Sequence, residues 1–384
     1  MGSSKTGKLI KNKAPDAKKE YTLSNYKGKI LVIDLFQWLY KFKIAMTKQN
    51  KEHINDMLIC LWIKVNIMLQ NRILPIFVSD GKPPELKQHI LEKRKKQKEI
   101  AKKKLESVED SDLESQIKYK KRCVYVEKSE VEMAIKFLES MGFPVVQARG
   151  EADPQCAGIN IADKAYGVVS QDWDTLIFGA KKMITDSNKK GKIFEYDRDE
   201  ILKALKIDQD QFVELAMALG CDYCDGITVN GIDKSKEIDV IYERYLKYGS
   251  LENMIKGLKE ENENQKHKRS GMRFIIPQNL ENNWRIIKAQ FIDVVILNPE
   301  GNMNFNWRPP NYTTLEKFLL EIKIDNVSEC IIKLRTLYNQ YSSYGNRLIG
   351  SNNRNRNYKK NNKSIVSQLP ELQLECSNQL VVVT

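Results

Sequence analysis

The 384-residue chain, 41% apolar, is long enough for one large or two ordinary domains and carries enough apolar side chains to bury a core. Its 63 Lys plus Arg against 50 Asp plus Glu leave a formal charge of +13, which suits a polyanionic partner, either nucleic acid or an acidic membrane surface. Seven cysteines (Cys60, Cys123, Cys156, Cys221, Cys224, Cys330 and Cys376) follow no repeating frame, no secretory h-region opens the chain and no stretch is apolar enough to span a bilayer. An intracellular protein with reduced thiols is therefore expected, neither secreted nor held in a membrane.

The opening Met1-Gly2-Ser3-Ser4-Lys5-Thr6 fits the short N-myristoylation pattern, for which a second explanation of Gly2 is given below. The first strong element is Lys29-Ile30-Leu31-Val32-Ile33-Asp34, a continuous apolar run that suits a strand buried on both faces and ends in a carboxylate. Amphipathic stretches from Leu35 to Met46 and from Ile54 to Gln70 predict helices, and Ile73 to Asp80 repeats the pattern of an apolar run closed by Asp. Residues 82–122 are lysine-rich with few large apolar residues and no strand pattern, which predicts a helical insertion. A run of this kind is usually a solvated helix face, yet its bases outnumber its acids from Lys87 to Lys104, as a phosphate track requires. Further on, Phe143 to Val146 reads as a strand, Glu151 to Lys164 as a helix, and Tyr166 to Ser170 as a strand followed by Asp172 and Asp174.

This alternation predicts an α/β fold with a central, mostly parallel sheet flanked by helices. Gln209 to Gly220 is helical, then come Asp222-Tyr223-Cys224-Asp225-Gly226 and a glycine-bearing turn at Gly231-Ile232-Asp233-Lys234. Lysine- and Asn-rich helices continue to about Tyr341, and the polar stretch that follows predicts disorder. The expected division is a core over 1–208 with its insertion at about 82–125, a helical region over 209–341 and a disordered tail over 342–384.

In an open parallel sheet the functional crevice lies beyond the carboxyl ends of the strands, where Asp34, Asp80 and the pair Asp172 and Asp174 all fall. Each alone has an ordinary explanation as a helix N-cap or turn residue. Three strands ending this way form a pattern, to which Glu151, Asp153 and Asp222 add carboxylates at helix ends. Seven such groups in one cleft would repel one another strongly unless divalent cations neutralised them. All-oxygen ligands select Mg²⁺, or Mn²⁺ as a substitute, over zinc, and two ions about 4 Å apart are suited to phosphodiester hydrolysis. His53, His89 and His267 stand in no zinc-protease spacing, no Walker or dinucleotide glycine loop is present, and Cys221-x-x-Cys224 has no second pair, so it reads as core thiols.

Five motifs, taken in order, resemble the flap endonuclease family of structure-specific 5′ nucleases. They are Val32-Ile33-Asp34, Phe77 to Pro84, Glu151 to Ala157, Ser170 to Gly179 and Leu219 to Tyr223. The resemblance implies that Asp34, Asp80 and Glu151 serve one ion, that Asp172, Asp174 and Asp222 serve the other, and that Asp153 lies between them. It makes the basic insertion a helical arch, from which Lys87 and Arg94 reach the scissile phosphate as catalytic cations. Tyr40 matches an aromatic that stacks on a base near the cut, and Arg122 a basic arch residue. Gly2 matches a Met-Gly start packed near the DNA junction, which is preferred to acylation. The helical region becomes a helix-hairpin-helix module in which Gly231 and Lys234 hold the duplex backbone. The implied partner is branched or nicked DNA with a 5′ flap, cut by a monomer at a nuclear or cytoplasmic site of replication or repair.

Three departures matter. Asp153 stands where eukaryotic and archaeal members carry Glu, a shorter arm between the ions. In the hairpin, Asp233 replaces a glycine and adds negative charge facing phosphate, which predicts weaker duplex anchoring. The tail has no Gln-x-x-(Leu/Ile)-x-x-Phe-Phe box, so no sliding-clamp binding by that route is expected. The competing readings are a catalytically weak scaffold that binds branched DNA, and an RNA-directed nuclease on the same fold.

Overall fold

A computed structural model describes residues 4–47, 54–109, 112–186, 192–264, 271–299 and 305–351. Its centre is a seven-stranded sheet in the order β1-β7-β6-β5-β2-β3-β4, with β1 at Lys18–Tyr21, β2 at Ile30–Asp34, β3 at Leu74–Ser79, β4 at Val145–Gln147, β5 at Gly167–Val169, β6 at Lys182–Asp186 and β7 at Ile193–Asp197. Strands β4, β3, β2, β5 and β6 are parallel, and β7 runs antiparallel to β6 and to β1. The sheet is thus mostly parallel, as expected, with an antiparallel edge that the apolar pattern did not reveal.

Every residue of β2 and β3 is buried, which is why their sequences are continuous apolar runs rather than alternating ones. Register places Ile33 between Phe77 on one side and Val169 on the other. Helices Leu35–Thr47 and Ile54–Gln70 follow β2 and pack on one another, burying Trp38, Leu39 and Met46 from the first and Leu58, Leu61, Val65 and Leu69 from the second at helical spacing. The chain passes from β2 to β3 and β4 on one side and returns to β5 on the other, so the strand order reverses between β2 and β5. The crevice of an open α/β sheet lies at such a reversal.

The carboxyl ends of β3 and β4 are sewn together beyond the sheet. Gly81 N–H donates to Gly150 O (2.6 Å) and Lys82 N–H to Arg149 O (3.2 Å). A Cβ on Gly81 would lie 2.1 Å from Ala148 O, so only glycine permits this approach. The N-terminal helix Ser4–Lys13 closes over the turn after β5, with Lys11 Nζ 5.6 Å from the centre of the Trp173 ring.

The lysine-rich insertion is a pair of helices, Gln88–Glu106 and Leu113–Cys123, packed against each other, the second starting at an Asp112 cap on Ser115 N–H (2.9 Å). Beyond the core come helices Gln209–Leu219, Glu237–Tyr248, Leu251–Asn264 and Gln278–Ile292, with a small antiparallel ladder of β8 (Thr228–Asn230) and β9 (Arg273–Ile275) among them. The chain then returns to the core, where Trp307 meets Phe143 (ring centroids 5.0 Å apart) and Phe318 meets Phe137 (5.4 Å). A hydrophobic cluster consequently runs from Leu9 to Leu337. Helix Val327–Ser351 extends past 342, where the sequence suggested disorder, and buries Leu334 and Leu337 near its middle. Residues 352–384, the rest of the expected tail, lie outside the described residues. No described helix is long and apolar enough to cross a membrane.

Because the Gly81 contact is backbone against backbone, Gly81→Ala should lower unfolding stability by about 1–3 kcal/mol in urea titrations. An unchanged midpoint would show that the loops can separate without cost.

Candidate metal centre

Four adjacent parallel strands, β5, β2, β3 and β4, deliver acids at their carboxyl ends. Asp34 is the last residue of β2 and is 5% exposed. Its Oδ1 accepts the N–H of Gln37 (3.1 Å) in the first turn of the following helix, a position where backbone dipoles favour an anion. Even so, burial and the charge of Asp80 push its carboxyl up to about 8. Asp80 follows β3 and accepts the N–H of Ala152 (2.7 Å), the first residue of helix Ala152–Ile161. Loss of water around its carboxyl and the charge of Glu151 outweigh that hydrogen bond and raise it too.

Asp153, one residue inside that helix, accepts the Thr175 hydroxyl (3.2 Å). Burial, together with the charges of Asp34, Asp172 and Asp174, holds its carboxyl well above the ordinary range. The turn after β5 is fixed by Ser170, whose Oγ accepts the N–H of Asp172 (3.0 Å), while Asp172 Oδ1 accepts the N–H of Asp174 (3.1 Å). Gln37 ties this turn to β2, donating from Nε2 to Ser170 Oγ (2.9 Å) and accepting the Gln171 N–H at Oε1 (3.0 Å).

The remaining two acids, Glu151 and Asp222, carry the counter-charge. Lys87, 7% exposed at the base of the arch, places Nζ 2.7 Å from Glu151 Oε1 and 3.1 Å from Asp222 Oδ2. Burial alone would lower its ammonium, but the two carboxylates reverse that and raise it. Arg94, about two turns along the arch helix, donates one terminal nitrogen to both oxygens of Asp222 (3.1 and 3.0 Å). Against the cost of burial, Lys87 and Arg94 hold Asp222 below the usual carboxylate range. Tyr223 donates its hydroxyl to Glu151 Oε2 (2.9 Å), and its ring lies 4.9 Å from Lys87 Nζ.

All seven predicted acids are therefore gathered at one edge of the sheet. Among the described residues, no three of them close around a single ion position, and Glu151 and Asp222 turn oxygens toward Lys87. The donor set nevertheless fits a hard divalent cation. It is all carboxylate oxygen, and burial together with neighbouring negative charge raises the carboxyls of Asp34, Asp80 and Asp153, a strain on the charged form that a cation would relieve.

The other predicted residues are distributed around this centre. Tyr40 is half-buried on the helix after Asp34, its ring stacked on Phe36. Arg122 is exposed at the end of the second arch helix, with its guanidinium 5.9 Å from the Tyr119 ring. Gly2 lies outside the described residues. Gly231 (φ +80°) leaves β8, and a Cβ there would lie 2.5 Å from Gly271 O. Lys234 pairs with Glu237 (2.8 Å), which also receives Lys5 (2.7 Å). Asp233 does not simply project its charge outward: its carboxylate caps the turn by accepting the Ser235 N–H (2.9 Å). Cys221 and Cys224 are buried thiols on either side of Asp222, their sulfurs 3.5 Å apart. Sequence reasoning missed Gln37, Ser170, Thr175 and Tyr223 as supports of the acids. Ser170 and Thr175, inside the Ser170 to Gly179 motif, and Tyr223, inside the Leu219 to Tyr223 motif, carried a signal, whereas Gln37 did not.

With chelator present, the raised Asp34 value has a definite sign. Its contribution to stability is complete below the ordinary carboxylate range, near pH 4, and is lost as pH rises through about 8. Asp34→Asn should therefore raise the thermal midpoint at pH 8 by roughly 2–4 °C, with the gain shrinking toward pH 4. A gain that grew on acidification would contradict the assignment.

Residues 1–101 match the XPG N-terminal domain and residues 142–222 the XPG I-region. Flap endonuclease 1 of Glycine max is 32% identical over 359 residues, spanning 89% of this chain and 88% of the relative. Flap endonuclease-1 from Methanococcus jannaschii superposes with a TM-score of 0.58 at 26% identity, over 84% of this chain and 96% of that structure. The catalytic core of Rad2 in complex with DNA substrate shares the fold with a TM-score of 0.64 at 20% identity, over 86% of this chain and 99% of that one. Relatives of this identity over nearly the whole length, together with the acids at the sheet edge, establish that the chain belongs to the flap endonuclease family.

Proposed function

We propose that the chain is a structure-specific 5′ flap endonuclease with 5′ to 3′ exonuclease activity, hydrolysing DNA phosphodiester bonds in replication or repair. The observation that carries this reading is the meeting of seven carboxylates with two arch cations, Lys87 and Arg94, at the sheet's reversal point. Two Mg²⁺ ions, replaceable by Mn²⁺, suit this ligand set: Asp34, Asp80 and Glu151 for one, Asp172, Asp174 and Asp222 for the other, with Asp153 between. Such ions supply an activated water and stabilise the leaving oxygen.

The chain's own cations do the rest. Lys87 and Arg94 are held on Glu151 and Asp222, so a phosphate entering the crevice competes for them. Their charge then complements what develops on the phosphate in the transition state. Tyr40 supports a base near the cut, Arg122 follows the backbone from the arch, and Gly231 and Lys234 bear on the duplex from the far side. The protein acts as a monomer on flapped or nicked DNA inside the cell, at a nuclear or cytoplasmic site of replication.

Cleavage of a labelled panel of flap, nicked, blunt and single-stranded DNA, with RNA flaps in parallel and with Mg²⁺ or Mn²⁺, tests the reading. Preferential cutting of 5′-flapped DNA is expected. Binding without cutting would favour a scaffold, and preference for RNA flaps a different substrate. Asp80→Ala and Asp172→Ala should each abolish flap cleavage while DNA binding stays within a few-fold, and cleavage retained by both would remove the metal assignment. Lys87→Ala or Arg94→Ala should slow single-turnover cleavage by about 100-fold or more with a smaller loss in binding. A proportional loss in both would make them binding residues only.

A further inference from the structure

An aromatic side chain beside the acidic crevice is left unburied. Leu35, Trp38, Leu39 and Phe42 of helix Leu35–Thr47 are at most 8% exposed, whereas Phe36 on the same helix is 36% exposed. Phe36 lies two residues after Asp34, in the first turn of the helix whose Gln37 N–H bonds to that carboxylate, which sets its position relative to the acids. Its ring lies nearly parallel to that of Tyr40, at an interplanar angle of 10° with centroids 6.4 Å apart. The separation exceeds a direct stacking distance, so the rings are offset and part of each face stays open.

The surroundings are cationic as well as acidic. The second arch helix, Leu113–Cys123, packs against helix Leu35–Thr47, contains no fully buried residue and bears Lys118, Lys120, Lys121 and Arg122. An open aromatic face on the helix that leaves Asp34, with a basic helix packed against that same helix, combines the two features that bind an unpaired nucleotide: a platform for the base and cations for its phosphate.

We infer that Phe36 is a nucleobase-stacking residue that extends the Tyr40 platform and holds the nucleotide next to the scissile phosphodiester. The inference rests on the reading of the chain as a DNA nuclease and adds a contact to it. Two stacked rings position a base more narrowly than one, because the base must lie along the step between them.

The test uses the full chain and a 5′-flap duplex carrying 2-aminopurine at the nucleotide adjoining the junction, in EDTA so that nothing is cut. Wild-type protein should quench the fluorophore. F36L, which keeps an apolar side chain at an exposed position and should leave the thermal midpoint unchanged, should lose at least half of the quenching, and F36W should restore it. In Mg²⁺, single-turnover cleavage by F36L should fall about five- to tenfold, within the range expected for one base–aromatic contact. Wild-type quenching and cleavage in F36L would overturn the inference. If the wild-type protein itself neither binds nor cuts the flap, the functional reading falls, and this inference with it.

Discussion

The ion pairs of Lys87 with Glu151 and Asp222 are the contact on which the arrangement of the site depends. All three side chains are largely shielded from water, and an unpaired charge left in such a place costs about 3–5 kcal/mol. Lys87 belongs to the arch, Glu151 to the end of β4 and Asp222 to the end of helix Gln209–Leu219, so one ammonium joins three distant parts of the chain. Arg94 repeats the link to Asp222 farther along the arch helix. The arch is therefore not a solvated pair of helices resting on a finished core. Its root is part of the charge balance of the crevice, and whatever lifts those cations must leave another positive charge with the acids.

Concentrating carboxylates in this way works because the backbone opposes their repulsion before any ion does. Asp34 faces the first turn of helix Leu35–Thr47 through the Gln37 N–H, Asp80 faces the start of helix Ala152–Ile161, and Asp172 receives the Asp174 N–H. Parallel strands followed by helices present these amide groups at the same edge that collects the acids. The amides reduce the repulsion without removing it, which is why burial and neighbouring charge still raise Asp34, Asp80 and Asp153. Asp153 is the extreme case, with Asp34, Asp172 and Asp174 around it and the neutral Thr175 hydroxyl as a hydrogen-bond donor.

What could be read in the sequence follows the same physics. Strands β2 and β3 were legible because burial on both faces demands continuous apolar runs, and their closing acids were legible because the crevice lies at the carboxyl ends. The antiparallel edge was not, since β1 is Lys18–Tyr21, almost wholly exposed; nor was the separate ladder of β8 and β9, whose strands of three residues each are too short for a period to emerge. The helical arch was visible in composition, but the inward turn of Lys87 was not, since Glu151 is 64 residues away and nothing local marks the pair. Asp233 was legible as a charge in the hairpin, but its use as a cap on the Ser235 N–H was not, because composition cannot show a local hydrogen bond.

Two kinds of force meet at this crevice, and they respond differently to solution conditions. On the proposed reading, contacts from Lys87, Arg94 and Arg122 to phosphate would exchange one set of counterions for another, so they would weaken steeply with salt. The proposed stacking on Phe36 and Tyr40 would depend on the faces of the bases and on apolar contact, which salt screens far less. Lys87 and Arg94 are also shared with Glu151 and Asp222, whereas among the described residues Phe36 meets the Tyr40 ring and carries no ion pair. Phosphate capture must therefore disturb the charge balance of the site, but base capture need not. On the proposed reading a nucleotide would seat on the rings first and its phosphate would displace the carboxylates afterwards, so that recognition of an unpaired base precedes the release of Lys87 and Arg94.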